Sequence, residues 1–329
     1  MSARKIKIAL IGAGGWGYQH ARILSSRDDV DFCAIVGRTP GKTQARAKTF
    51  RTRAYTSVPE MLSTERPELV CICLPNQEHF APTLEVIRAG VPLFVEKPLV
   101  FDLKEADTLL GEAAKRQLFF GINFNHRYAK AVQLAKQAIV EGRIGDAIFA
   151  FWRFGGEGGG PGAHPHANLI ETQCHGFDTL EFLCGPIASV QAEMTDKSGH
   201  GFRTLVLALR FASGAVGSLV GTYDSSYAYP GTHLLEVNGT KGRVTVEDTV
   251  KKFTFQSAGS ETAEVWQAGY FNDRDREFHR TFDAHFDAVL KAFAVGQPPP
   301  VHASAGRRAL ALAQASIESY EKGVRVSTL

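Results

Sequence analysis

The stretch "KIKIALIGAGGWGYQHARIL", residues 5–24, decides the fold. Ile6 to Ile11 is an apolar run of strand length, followed by a glycine-rich turn and then by a helical pattern that starts near Trp16. Gly12, Gly14 and Gly17 fit the spacing G-x-G-x-x-G. The first glycine of such a turn allows the tight bend, the second lets backbone approach a diphosphate, and the third lets helix pack on strand. Gly15 and Trp16 lie in the same turn, where the free N–H groups and partial positive charge of a helix start would meet an anion. Glycine-rich turns are common, so context matters. Here a strand precedes, a helix follows, and a second strand, "VDFCAIVG" (30–37), comes about 20 residues on. A plain strand-to-helix turn would not call for three glycines at this spacing. The stretch predicts a dinucleotide-binding βαβ unit.

Working outward, "LVCIC" (69–73) is a continuous apolar run, as buried parallel strands show, and "LFVE" (93–96) follows a helix around 79–89. Alternating strand and helix over residues 1–122 predicts a doubly wound α/β sheet of Rossmann type. The tip of the second strand bears on the nucleotide. An acid there would accept the ribose 2′-hydroxyl of NAD and repel a 2′-phosphate. This chain reads Gly37-Arg38-Thr39 with Lys42 nearby and no acid. Arg38 can take a phosphate bidentately and stack on adenine, which favours NADP, with NAD as the alternative. A solvent-exposed loop arginine is the plainer reading of the same residue.

Bulk properties exclude other classes. With 329 residues, two domains are expected. A net charge of +3 spread along the chain argues against nucleic-acid and membrane-surface partners. No run of 18 apolar residues is present, and the short apolar strand around Lys5 and Lys7, with no long apolar region and no small-residue cleavage site, is not expected to act as a leader peptide. Five irregularly spaced cysteines, two of them (Cys71, Cys73) in an apolar run, suggest a reduced, cytoplasmic protein.

After residue 123 the pattern changes. A helix (129–142) is followed by "AIFAFWRF", "LVLALRFASGAVGSLVGTY", "HLLEVNG", "RVTVED" and "KKFTFQS", strand-like runs separated by glycine or charged turns, with Ser213-Gly214 at a hairpin. Residues 123–329 therefore read as an α+β domain with a large open, mainly antiparallel sheet. Its closing helix is free to pack back on the first domain. "GGEGGGPGAHPHA" (155–167) reads as a substrate lid or as a surface insert. Just after it, "ETQCHGFD" (171–178) groups Glu, Cys, His and Asp. In a helix, Glu171, His175 and Asp178 would share one face, with Cys174 beside it. On residues alone this is a zinc site, an acid–base relay or a structural polar seam.

At Glu96-Lys97-Pro98 the chain resembles the Gfo/Idh/MocA family of sugar and polyol oxidoreductases. The flanking "LPNQEH" (74–79) and "GINFNHRY" (121–128), the hairpin "LLEVNGTKGRVTVE" (234–247) and the closing "ALALAQASIESYEKGVRV" share the likeness. The resemblance implies a nicotinamide cofactor held by the first domain, with Leu74, Pro75, Asn76, His79, Glu96 and Lys97 joining the glycine turn. It implies a sugar or cyclic-polyol substrate, a cis Lys97–Pro98 peptide, and a dimer or tetramer formed through the second-domain sheet. Lys97 would hydrogen-bond substrate and cofactor, and His175 would move the hydroxyl proton, with no metal. Glu171 stands where the family has Asp, and Gln173 where it often has Gly. Asn125, Arg127 and Arg153 are candidates for substrate contact, a surface salt bridge being the ordinary alternative for either arginine. A non-catalytic sugar sensor and a glycoside-cleaving enzyme using transient oxidation are the other functions compatible with the likeness, although a sensor would have no reason to keep both Lys97 and His175.

Overall fold

The computed structural model describes residues 4–158, 164–269 and 277–329. Its apolar runs divide between two compact units, one made of the chain up to Phe124 together with Phe282–Arg308, the other of Asn125–Thr281 with Ala309–Leu329.

In the first unit, strand and helix alternate as the hydrophobic periodicity demands. The elements are β1 (Ile6–Ile11), α1 (Gly15–Ser25), β2 (Val30–Val36), α2 (Pro40–Thr49), β3 (Arg53–Tyr55), α3 (Val58–Glu65), β4 (Leu69–Ile72), α4 (Phe80–Arg88), β5 (Leu93–Val95), α5 (Leu103–Lys115) and β6 (Phe120–Ile122). The strands pair in parallel in the order β3-β2-β1-β4-β5-β6. β4 and β5 are buried along their whole length because helices cover both faces. Strand order reverses at β1 and β4, so the crevice at their C-terminal ends is where such a sheet takes a ligand. The return of Phe282–Arg308 has a packing cause: Phe286 meets Phe94 edge to face at 5.2 Å, and Val301 O accepts from Ile122 N.

The second unit holds α6 (Lys130–Val140), β7 (Ala147–Gly155), α7 (Cys174–Cys184), β8 (Ile187–Thr195), β9 (Thr204–Phe211), β10 (Val216–Thr222), β11 (His233–Gly239), β12 (Gly242–Glu247), β13 (Lys252–Ser257) and β14 (Glu264–Gln267). α8 (Arg280–Ala294) runs from this unit into the first; α9 (Ser304–Lys322) begins in the first and continues here to β15 (Val326–Ser327). The nine strands order as β14-β13-β12-β11-β7-β10-β9-β8-β15, antiparallel throughout except β7 with β10. The period of two splits each strand between faces. Ala150, Trp152, Leu207, Leu219, Leu235 and Val237 are buried, whereas Phe149, Val206, Val216 and Val265 are exposed on the opposite face. Among the described residues no helix is long and apolar enough to cross a membrane.

Candidate active site

The glycine turn is built by steric necessity. A Cβ on Gly12, whose φ is +134°, would lie 1.9 Å from the carbonyl oxygen of Cys73, and one on Gly17 would lie 2.2 Å from that of Gly12. No side chain fits at either position. Gly14 and Gly15 differ: a Cβ there would meet nothing within 4 Å. Gly14 caps α1 without a side-chain hydrogen bond, and the first turn of α1 holds no acid. The result is an uncovered helix N-terminus beside open space, which fits the diphosphate of a dinucleotide. Trp16, half-exposed, stacks on Phe282 with ring centroids 5.6 Å apart.

At the tip of β2, Arg38 is exposed and paired with Glu78 at 2.9 Å. Thr39 caps α2 without a side-chain hydrogen bond. Leu74 and Pro75 lead into a 3₁₀ turn at Asn76–Glu78. His79 and Glu96, expected on the cofactor, have their side chains turned into the fold. His79 is buried, its ring nitrogens 2.7 Å from Pro98 O and 3.0 Å from Leu74 O. Burial holds its pKa below the usual value, against the pull of those carbonyls. A neutral ring carries one N–H, so it donates to one of these two carbonyls and packs the Leu74 turn against the Lys97–Pro98 peptide, which is cis. Glu96 Oε1 accepts from Asn123 Nδ2 at 2.6 Å and lies 2.7 Å from His20 Nε2, while Oε2 accepts from Lys97 N at 3.1 Å.

In the second unit, "ETQCHGFD" is not one helix. Asn168–Thr172 forms a π turn and α7 starts only at Cys174. Two amide side chains impose the wider turn. Gln173 N donates to Asn168 O at 3.0 Å, and Gln173 Nε2 donates to Asn168 Oδ1 at 3.1 Å. Gln173 Oε1 also accepts from Trp152 Nε1 at 3.1 Å, and the side chain fills the space left by Gly221. Such π turns often mark functional sites. Glu171 therefore sits in the π turn, half-buried, and His175 in the first turn of α7, buried. The His175 ring stacks on His126 at 3.9 Å and 9°. Trp152, Phe154, His233 and Phe278 surround His126 at centroid distances from 5.4 to 6.1 Å. His233 is held well below the usual histidine value by burial and by His126.

Other expected contacts separate. Arg127 grips Asp178 through two hydrogen bonds of 2.8 and 2.6 Å, and Asn125 donates to Thr281 Oγ1 at 2.7 Å. Arg153 is a correction. It pairs with Leu234 and Val220 in the sheet and donates to Gly231 O, on the face opposite Trp152, so the strand's own alternation takes it away from His175. Glu171, Cys174 and His175 do not converge as metal ligands; the described grouping that does is His20, Cys73 and Glu96. Cys174 is buried and its thiol donates to Glu171 O. His126, His233 and Trp152 were not singled out in the sequence, because their convergence depends on strand register; Gln173 was noted only as standing where the family often has Gly. His166, beyond the glycine run, stacks on Phe202; residues 159–163 of the proposed lid lie outside the described residues.

The chain matches the model of an oxidoreductase family NAD-binding Rossmann fold over residues 6–124 and that of its C-terminal alpha/beta domain over residues 152–328. It belongs to the Gfo/Idh/MocA family. This Gfo/Idh/MocA oxidoreductase is 25% identical to myo-inositol 2-dehydrogenase of Thermotoga maritima, over 96% of this chain and 97% of the relative. It is 23% identical to inositol 2-dehydrogenase of Rhizobium meliloti, over 98% and 99%. Levoglucosan dehydrogenase in complex with NADH shares the fold at a TM-score of 0.89 and 19% identity, covering 99% of this chain and all of that one. The first of the two models is described as an NAD-binding fold, and the residues it matches include the open glycine turn.

Proposed function

We propose that this oxidoreductase transfers a hydride between NADP(H), or NAD(H), and a secondary alcohol or ketone of a sugar, sugar derivative or cyclic polyol. The observation that carries the reading is His175, seated on the first turn of α7 against His126 and fixed behind an amide-clamped π turn, in a chain that also keeps Lys97. A bound nicotinamide supplies the redox step. The protein's own groups then have a proton and a charge to manage. His175 exchanges the hydroxyl proton, a task suited to an imidazole near neutral pH. Lys97 stabilises negative charge developing on the oxygen. Glu171 orients the substrate hydroxyls. The inositol and levoglucosan dehydrogenases among the relatives support a cyclic polyhydroxylated substrate.

NADP is the favoured cofactor because Arg38, Thr39 and Lys42 surround the start of α2 and no acid stands between Gly37 and Thr43. Glu78, paired with Arg38, is the group a 2′-phosphate must displace. We place the enzyme in the cytoplasm, which its five unbridged cysteines support. It assembles as a dimer or tetramer through the open sheet face, where Phe149, Val206, Val216 and Val265 present apolar surface that a second copy would cover. The test is a panel of sugars and inositols followed at the nicotinamide absorbance with both cofactors. Turnover of at least one cyclic polyol or sugar, faster at equal concentration with NADP, is expected. Sugar release without net cofactor change would redirect the reading to glycoside cleavage, and cofactor binding without turnover of any panel member would redirect it to a sensor.

A further inference from the structure

Beneath Lys97 lies a chain of buried polar groups that the proposed reaction does not itself use. His20 on α1, Glu96 after β5, Asn123 after β6 and His285 on α8 are all nine-tenths or more buried. His20 Nε2 lies 2.7 Å from Glu96 Oε1, Asn123 Nδ2 lies 2.6 Å from the same oxygen, and His285 Nδ1 lies 2.8 Å from Asn123 Oδ1. The orientation of the amide follows from its neighbours. A carbonyl oxygen facing Glu96 would oppose a carboxylate, so the NH₂ faces Glu96 and Oδ1 accepts from His285. Three donors, from His20, Asn123 and the backbone of Lys97, thus converge on one buried carboxylate. Burial alone would raise its pKa, but the bonds from His20 and Asn123 outweigh it and hold Glu96 ionised. Aromatic rings wall the chain in: Phe286 meets His20 edge-on at 5.1 Å, and Phe94 meets His285 edge-on at 5.1 Å.

Cys73 brings its sulfur near His20 and Glu96, and these three are candidate metal ligands by distance. The hydrogen bonding points elsewhere. Glu96 Oε1 already receives two N–H groups, and a cation in their place would face the Asn123 NH₂. The thiol of Cys73 is held well above its usual pKa by burial, then by the Glu96 charge, which disfavours the thiolate a metal needs.

We propose that His20, Glu96, Asn123 and His285 form a positioning chain that fixes the backbone of Lys97 from below and ties it to α1, the helix carrying the glycine turn. The inference rests on Lys97 acting at the reacting oxygen. It adds that His20, far from any substrate role, sets where Lys97 stands.

The test is a double-mutant cycle on the full-length protein, using the best substrate of the panel. Lys97→Ala alone reports whether Lys97 matters. His20→Leu is expected to lower kcat about 10- to 100-fold, the usual consequence of misplacing a reacting group by about 1 Å. KM and NADPH affinity, read by nicotinamide fluorescence, should stay within about threefold, because uniform binding is untouched. His20→Gln keeps a donor for Glu96 and should restore most of kcat. In the Lys97→Ala background, His20→Leu should cost almost nothing more, since residues acting through one another are non-additive. Full additivity would overturn the proposal while leaving the Lys97 reading intact. An undiminished Lys97→Ala enzyme would overturn both. A fall in melting temperature and cofactor affinity that His20→Gln does not reverse would make the chain merely structural, and one equivalent of bound metal lost in Cys73→Ala would make it a metal site. If His20→Leu does not fold, His20→Asn, too short to reach Glu96, takes its place in the cycle.

Discussion

The glycine turn and the seat of His175 are built by opposite means. The turn is backbone: twelve consecutive residues of strand, bend and helix start, in which the absence of side chains makes the site. The seat is side chains: His126, Trp152 and Phe154 of β7, His233 of β11, and Phe278 come from four segments, and the β7 and β11 members meet because those strands pair in one register. Two consequences follow. Adding an atom destroys the first, whereas removing one polar group loosens the second. Only the first can be read without knowing how strands pair.

The largest expected effect tests the first half of this contrast. Gly12→Ala places a methyl on a carbonyl and forces a backbone angle that side chains avoid, at about 2–6 kcal/mol of stability from strain and overpacking together. Denaturant midpoints and NADPH titration should both show the loss. Gly14→Ala, whose Cβ meets no protein atom, should leave stability within about 0.5 kcal/mol while weakening the cofactor. Equal behaviour of the two variants would dissolve the distinction between closure and cradle.

Next in size is Arg38→Ala: with Arg38 on the 2′-phosphate, as proposed, the substitution should cost about 1.5–3 kcal/mol of NADP affinity and leave NAD almost unchanged. A native enzyme with equal affinity for the two nucleotides would remove the basis for it.

For the second region, Gln173→Ala strands the Trp152 N–H and the Asn168 carbonyl oxygen at an expected cost of about 1–3 kcal/mol. Turnover should fall with it, because the π turn carries Glu171 and leads into the first turn of α7, where His175 sits. A stable variant with native kcat would mean that the backbone alone holds the turn.

The smallest effect is a pH slope shared by both regions. Burial holds His79 in the first and His233 in the second below the usual 6.5, so both fold neutral. As pH falls below about 6.5 the unfolded chain takes protons first, and stability declines by up to about 1.4 kcal/mol per unit for each ring. Glu96 has its pKa lowered, so its stabilisation is present above the usual 4.5 and is lost as pH falls from there through the folded value. Urea midpoints from pH 8 down to 4 should therefore decline on the acid side, and Glu96→Gln should flatten the lowest part. Midpoints that rise on acidification would contradict the assignment.

Much of the first region was legible because its signals are local. Three glycines, an apolar strand and a Glu-Lys-Pro triplet lie within short windows, and period and turn chemistry place them directly. Glu96 and His79 show the limit of that reading. The family resemblance suggested the cofactor, but β4 and β5 end where the side chains turn inward, to His20, Asn123 and the backbone around the Leu74 turn and Pro98. In the second region, His175 was singled out through its motif, and the sheet was read from its alternation. The π turn was not, since it arises from a pair of amides, Asn168 and Gln173, that no helical periodicity encodes. Arg153 was misplaced for a related reason. Its neighbours in sequence include Trp152, but in a strand adjacent residues face opposite ways.

The central claim is that the first region holds the cofactor while His175 in the second moves the proton, and His175→Ala measured with both readouts tests it most directly. The account predicts NADPH affinity within about threefold of native and turnover lowered by about 10²–10⁴. Native turnover in a variant whose melting temperature has dropped would make His175 a structural residue, and one tightly bound zinc per chain with activity abolished by chelator would make it a ligand; either result would contradict the account.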